Sequence, residues 1–129
     1  MRLLADTHVL VWMAWNPGRL SERAHEALAD RTNELLVSAA SVWEMSIKHH
    51  QGRLPEAAAL LDDLDAALAT LGSVLLPVRG RHAIRAGQLA WEHRDPFDRM
   101  LASQTIIEDA TLVSADRAFA TLPTLRRLW

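Results

Sequence analysis

Arg2-Leu3-Leu4-Ala5-Asp6-Thr7-His8 decides the fold, because a short apolar run stops abruptly at an acid. The run reads as a strand, with Asp6 just past its end. Similar runs recur at Glu34–Val37, Val74–Leu76 and Thr111–Val113, and Leu125–Trp129 is expected to add an edge strand.

Helical patterns fill the intervals. Ser21 is placed to cap a helix running to about Thr32. Leu54-Pro55 opens a second over Glu56–Leu71, with Leu60, Leu61, Leu64, Ala67, Leu68 and Leu71 at helical spacing and Gly72 ending it. Arg81–His93 reads as another. Asp95-Pro96 is an N-cap followed by a first-turn proline, so a further helix is expected from Pro96 to about Glu108, burying Phe97, Leu101 and Ile107 or their neighbours. Strand–helix alternation predicts an α/β domain with a mainly parallel sheet of four to five strands, helices on both faces and right-handed crossovers.

The 129 residues, half of them apolar, suit one domain spanning 1–129, without repeat, low-complexity tract or linker. With 14 Lys and Arg against 16 Asp and Glu, the formal charge of −2 is not that of a general nucleic-acid coat. It leaves room for a nuclease, which needs concentrated carboxylates and only a local basic rim. The absence of cysteine removes disulfides, thiolate zinc sites, iron–sulfur clusters and a cysteine nucleophile. The six histidines are scattered apart from the adjacent His49 and His50, and no His-Glu-x-x-His pattern exists, which argues against zinc. Asp6 and His8 interrupt the apolar start before a signal-peptide core can form, and no stretch reaches membrane-spanning length, so a cytoplasmic protein is expected.

The chemistry lies in where the acids fall. Asp6 follows the first strand, Glu44 lies in the helix after the second, Asp98 occupies the first turn of a helix, and Asp116 follows the fourth strand. Ligands of open α/β sheets gather outside the carboxyl ends of strands, where helix N-termini also point. Carboxylates meeting there raise one another's pKa values unless a hard cation offsets their charge, and Mg²⁺ or Mn²⁺ suits oxygen donors. Such an ion makes water the nucleophile, so no Ser, Cys or His nucleophile is needed. Each acid also has a plainer role: Asp6 as a helix cap, Glu44 as the far half of a Ser41-Val42-Trp43-Glu44 capping box, Asp116 as a cap or turn residue. Asp95 and Asp98 both suit a helix N-terminus, with Asp95 already engaged as the cap and Asp98 the better ligand. The four together favour chemistry over capping.

Four segments carry a resemblance: Leu4-Ala5-Asp6-Thr7-His8, Ser41-Val42-Trp43-Glu44-Met45, Asp95-Pro96-Phe97-Asp98-Arg99-Met100-Leu101-Ala102, and Leu112-Val113-Ser114-Ala115-Asp116. In order and spacing they resemble the PIN domains, specifically VapC-type toxin ribonucleases of bacterial toxin–antitoxin pairs, over nearly the whole chain. The resemblance implies a three-layer α/β/α fold and places the family's four acids on Asp6, Glu44, Asp98 and Asp116, with Thr7 and Ser114 as supporting polar residues; the residues themselves leave Asp95 as cap or outer support. It further implies Mg²⁺- or Mn²⁺-dependent RNA cleavage, a homodimer, and inhibition by a VapB-type antitoxin encoded alongside. Ser103 and Thr105 depart from the small apolar residues common in the family's helix after Asp98, and Arg117 directly follows the fourth acid.

Phosphate contacts need cations near the acids, and Lys48, Arg94, Arg99 and Arg117 are close in sequence, although each is also readable as an ordinary solvated charge. Five tryptophans without a tyrosine suggest core packing first, with an exposed subset free to stack RNA bases or line an antitoxin groove. Two rival functions remain: a non-catalytic interaction module whose acids are caps, and an aspartyl phosphatase. The second lacks the nearby acid that its chemistry uses, because Asp6 is followed by Thr7 and His8.

Overall fold

The alternation of side chains along the first strand splits the core in two. In the computed structural model, which describes all 129 residues, β1 (Arg2–Ala5) turns Leu3 and Ala5 to one face and Leu4 to the other. The same division runs through β2 (Glu34–Ser38) and β4 (Thr111–Val113), while the edge strands β3 (Ser73–Leu76) and β5 (Arg127–Leu128) each bury one residue, Leu76 on the second face and Leu128 on the first. They form one five-stranded sheet in the order β3-β2-β1-β4-β5, parallel at every pairing.

On the first face, Leu3, Ala5, Leu35, Val37, Val113 and Leu128 pack with α1 (Thr7–Trp15), α2 (Glu22–Ala29), α3 (Ala39–His50), α4 (Ala58–Asp62) and α5 (Leu64–Thr70). On the second, Leu4, Leu36, Leu76 and Leu112 meet Leu101 and Ala102 of α7 (Pro96–Ile107), with Phe119 and Leu122 beyond β4. The result is the expected three-layer α/β/α architecture. No helix is long and apolar enough to cross a membrane.

Several boundaries differ from the sequence reading. Ser21 does cap α2, accepting from Ala24 N–H at 3.0 Å, but the helix ends at Ala29, short of Thr32. The single helix expected over Glu56–Leu71 is a 3₁₀ turn, Pro55–Ala57, followed by α4 and α5, broken at Asp63, where φ −146° and ψ 85° leave helical space. Asp63 then caps α5 through Ala66 N–H. Gly72 ends α5 with φ +65°, where a side chain would be strained.

The helix expected over Arg81–His93 is α6 (Gly80–Gln88), and the segment from Leu89 to Asp95 is irregular. Buried His82 ties α6 to the end of α7, accepting Arg79 N–H on Nδ1 at 3.0 Å and meeting Glu108 with Nε2 at 2.8 Å. That imidazole, and Arg81 beside it, hold the Glu108 carboxyl below its ordinary pKa. α7 begins at Pro96 under the Asp95 cap, as the sequence implies, and buries Leu101, while Phe97 and Ile107 stay half-buried.

The strand order fixes where a ligand can sit. The chain adds β2 and β3 on one side of β1, then crosses to add β4 and β5 on the other, so the connections diverge between β1 and β4. A crevice at the carboxyl ends of these two strands is the natural binding position in such sheets.

Candidate metal centre

Asp6 stands at that position, between the end of β1 and the start of α1. Its N–H continues the β1–β4 ladder by donating to Val113 O at 3.0 Å, and its C=O accepts Leu10 N–H at 2.9 Å to start α1. Asp6 is thus the N-cap residue by position, yet its side chain makes no capping bond. The carboxylate instead accepts the Ser114 hydroxyl on Oδ2 at 2.5 Å. It is buried, and burial raises its pKa; Glu44 raises it further, while the Ser114 hydrogen bond and His8 work against the rise.

Glu44 arrives on α3. β2 runs directly into this helix, and the cap is Ser38, whose Oγ accepts Ala40 N–H at 3.0 Å and donates to Gln104 Oε1. The Ser41–Glu44 capping box is therefore corrected: Ser41 already lies inside the helix, its buried hydroxyl has no partner, and Glu44 does not fold back on it. The Glu44 carboxylate accepts the Thr7 hydroxyl on Oε1 at 2.5 Å and pairs with Lys48 Nζ through Oε2 at 2.9 Å.

Asp98 is set by the N-terminus of α7, where its N–H donates to Asp95 Oδ1 at 3.0 Å. Its own Oδ2 lies 2.6 Å from His93 Nε2. Burial pushes its pKa up to about 6, with Asp95 and Asp6 adding to the rise and His93 opposing it. Asp6 thus raises the pKa of Asp98, and Glu44 that of Asp6, which gathers three acids from three segments into one electrostatic site.

Asp116 differs. It is exposed and caps the 3₁₀ turn Arg117–Thr121 by accepting Ala118 N–H at 2.9 Å. Its link to the other acids runs through the backbone, its N–H donating to the same Ser114 Oγ that serves Asp6. No three acid or imidazole side chains form a ready-made cage. The donor set nonetheless suits a hard cation: it is all carboxylate oxygen, Asp6 and Asp98 are both raised in part by a neighbouring acid, and Mg²⁺ commonly takes one or two protein carboxylates and several waters.

The cations sort sharply. Lys48 is engaged with Glu44, and Arg94 and Arg117 are exposed. Arg99, a candidate RNA contact in the sequence, has its guanidinium engaged within the fold: it donates to the carbonyls of Ala86, Leu89, Trp91 and His93 at 2.8 to 3.0 Å and holds the Leu89–Asp95 segment. His93 was missed in the sequence, where it is one scattered histidine; its position five residues before Asp98, across a proline turn, was the available signal. Among the tryptophans, Trp12, Trp91 and Trp129 pack half-buried, whereas Trp15 and Trp43 are 53% and 64% exposed. Trp43 stands edge-on to Phe97, ring centres 5.2 Å apart, each one residue before an acid of the site.

With that geometry in place, comparison with known proteins identifies the family. The PIN domain model matches residues 3–125. The chain belongs to the PIN domain family. No curated protein matches this PIN domain in sequence. Three solved structures share its fold: VapBC2 from Rickettsia felis bound to a DNA fragment from their promoter (21% identity, TM-score 0.72, 99% of this chain and 98% of that one); VapBC-1 from nontypeable Haemophilus influenzae (16%, 0.67, 99% and 97%); and FitAcB from Neisseria gonorrhoeae (16%, 0.65, 98% and 96%).

Proposed function

We propose that this PIN domain is a Mg²⁺- or Mn²⁺-dependent endoribonuclease and the VapC-type toxin of a toxin–antitoxin pair. The observation that carries the reading is the linking of acids past the end of β1: Thr7, next to Asp6, donates to Glu44, Ser114 joins Asp6 to the Asp116 turn, and Asp6 contributes to raising Asp98 to about 6. Carboxylates held at such a cost to their charged forms are suited to a bound cation.

In this reading Asp6 and Asp98 are the principal ligands, Glu44 and Asp116 complete the set, and Thr7, Ser114 and Asp95 support them. Ser114 fixes the orientation of Asp6, and Thr7 with Lys48 fixes that of Glu44. Bound among these oxygens, the ion would offset charge growing on the phosphoryl oxygens and lower the pKa of an attacking water. Arg94 and Arg117, exposed on segments flanking the acids, are available to RNA phosphates.

The structural likeness to VapBC assemblies supports a VapB-type antitoxin as the partner, and a homodimer in the cytoplasm completes the reading. Purified protein is expected to cleave RNA with Mg²⁺ or Mn²⁺ and to stop with EDTA. Asp6→Asn and Asp98→Asn should each abolish cleavage, and undiminished activity in both overturns the assignment.

A second reading has its own support, since Asp95 and Asp116 both act as caps. A non-catalytic interaction module with this fold would show neither metal-dependent cleavage nor a metal-induced rise in Tm.

A further inference from the structure

The segment after α6 has no regular backbone pairing to hold it, yet it is pinned from three directions. Arg99, one turn into α7, gathers the carbonyls of Leu89, Trp91 and His93 with one guanidinium. The Trp91 indole N–H donates to Thr121 Oγ1 at 2.8 Å, and its ring packs on Phe119 with centres 5.8 Å apart. The centre of the Trp91 ring also lies 4.7 Å from that of the His93 imidazole. The only hydrogen-bond partner of that imidazole is Asp98 Oδ2, at 2.6 Å.

Resting on the metal-site reading above, we propose that His93 is a positioning residue for Asp98, and that Trp91 and Arg99 clamp the loop so as to hold it there. A carboxylate in the first turn of a helix rotates between staggered positions, and only some of these aim an oxygen at the site. A donor fixed on Oδ2 selects one orientation and leaves Oδ1, which has no hydrogen-bond partner, for a cation. Carboxylates that bind metals are commonly oriented by such outer hydrogen bonds, and loss of one typically costs about 10–100-fold in metal affinity or activity. The ring needs restraint of its own, since its side chain is 30% exposed. Trp91 and the Arg99 clamp supply that restraint.

Direct Mn²⁺ binding to the full chain, by calorimetry or paramagnetic resonance, tests the proposal. His93→Phe keeps a ring beside Trp91 and removes the donor; it should weaken Mn²⁺ binding by about 10–100-fold. His93→Gln can still donate to Oδ2 and should bind more tightly than His93→Phe. A merely structural His93 would lower Tm in both variants and leave Mn²⁺ affinity alone, and equal affinity in wild type and His93→Phe overturns the proposal while sparing the metal site. Should His93→Phe not fold, His93→Ala takes its place with the same two outcomes. Absence of Mn²⁺ binding to the wild type overturns both readings together.

Discussion

Ser114 donates its hydroxyl to Asp6 Oδ2 at 2.5 Å, joining the ends of β4 and β1 from positions 108 residues apart. Ser114 Oγ also accepts Asp116 N–H at 3.0 Å, so one hydroxyl orients a buried acid and shapes the turn that carries another. Ser114→Ala strips a buried carboxylate of its donor, which should cost about 1–3 kcal/mol. It should also drive the Asp6 pKa further up, because the Ser114 bond opposes the effect of burial. Urea unfolding at neutral pH measures the first effect, and unchanged stability would mean that Asp6 finds another partner.

Asp98 makes the metal-free protein sensitive to pH in a defined direction. Its folded pKa of about 6 stands above the ordinary 3.8, so its contribution to stability is fully present below 3.8 and is lost as pH rises through about 6. Asp6 is shifted the same way. Glu108, held low by His82 and Arg81, runs oppositely, so the whole-chain profile mixes signs. The stability of wild type minus that of Asp98→Asn isolates the group: the difference should fall across that window in EDTA. A difference that rises instead would show that the Asp98 pKa is depressed.

A cation should restore what the charged acids lose. If Mn²⁺ binds the folded site alone, at a hundred times its Kd it adds about 2.7 kcal/mol. Wild type should show a concentration-dependent rise in Tm, and Asp6→Asn and Asp98→Asn should flatten it. An equal rise in all three places the ion elsewhere.

Arg99→Lys tests the clamp. Lysine has one compact ammonium where arginine has a planar fork, so it cannot reach the carbonyls of Ala86, Leu89, Trp91 and His93 together. The expected loss is about 2–3 kcal/mol, with faster amide exchange confined at first to residues 89–95. Exchange that rises evenly over the chain would deny the segment its separate anchor.

The sheet was legible because strand endings are local: Leu3-Leu4-Ala5 stopping at Asp6 is visible without knowing what lies beside it. The Asp95-Pro96 cap is equally local, and it placed Asp98 correctly. What stayed hidden was set across the fold. α6 ends at Gln88 where Arg99, eleven residues on, gathers the following carbonyls, a contact no periodicity displays. Asp63 breaks an otherwise continuous leucine pattern by leaving helical space and capping α5. Glu44 looked committed to its own helix because its partner Thr7 lies 37 residues away.

The misread start of α3 supplies the sharpest comparison of two serines. Ser38 caps the helix through Ala40 N–H and also satisfies the buried Gln104, so Ser38→Ala loses a cap and strands an amide oxygen, at a cost of about 1–3 kcal/mol. Ser41 sits inside the same helix with a buried hydroxyl that meets nothing. Ser41→Ala removes that unpaired group and substitutes the better helix former, so stability should rise, by about 0.5–1 kcal/mol. Chemical denaturation of the two variants at one pH decides between the caps. Loss of stability in Ser41→Ala with none in Ser38→Ala would return the cap to Ser41, and with it the structural role for Glu44.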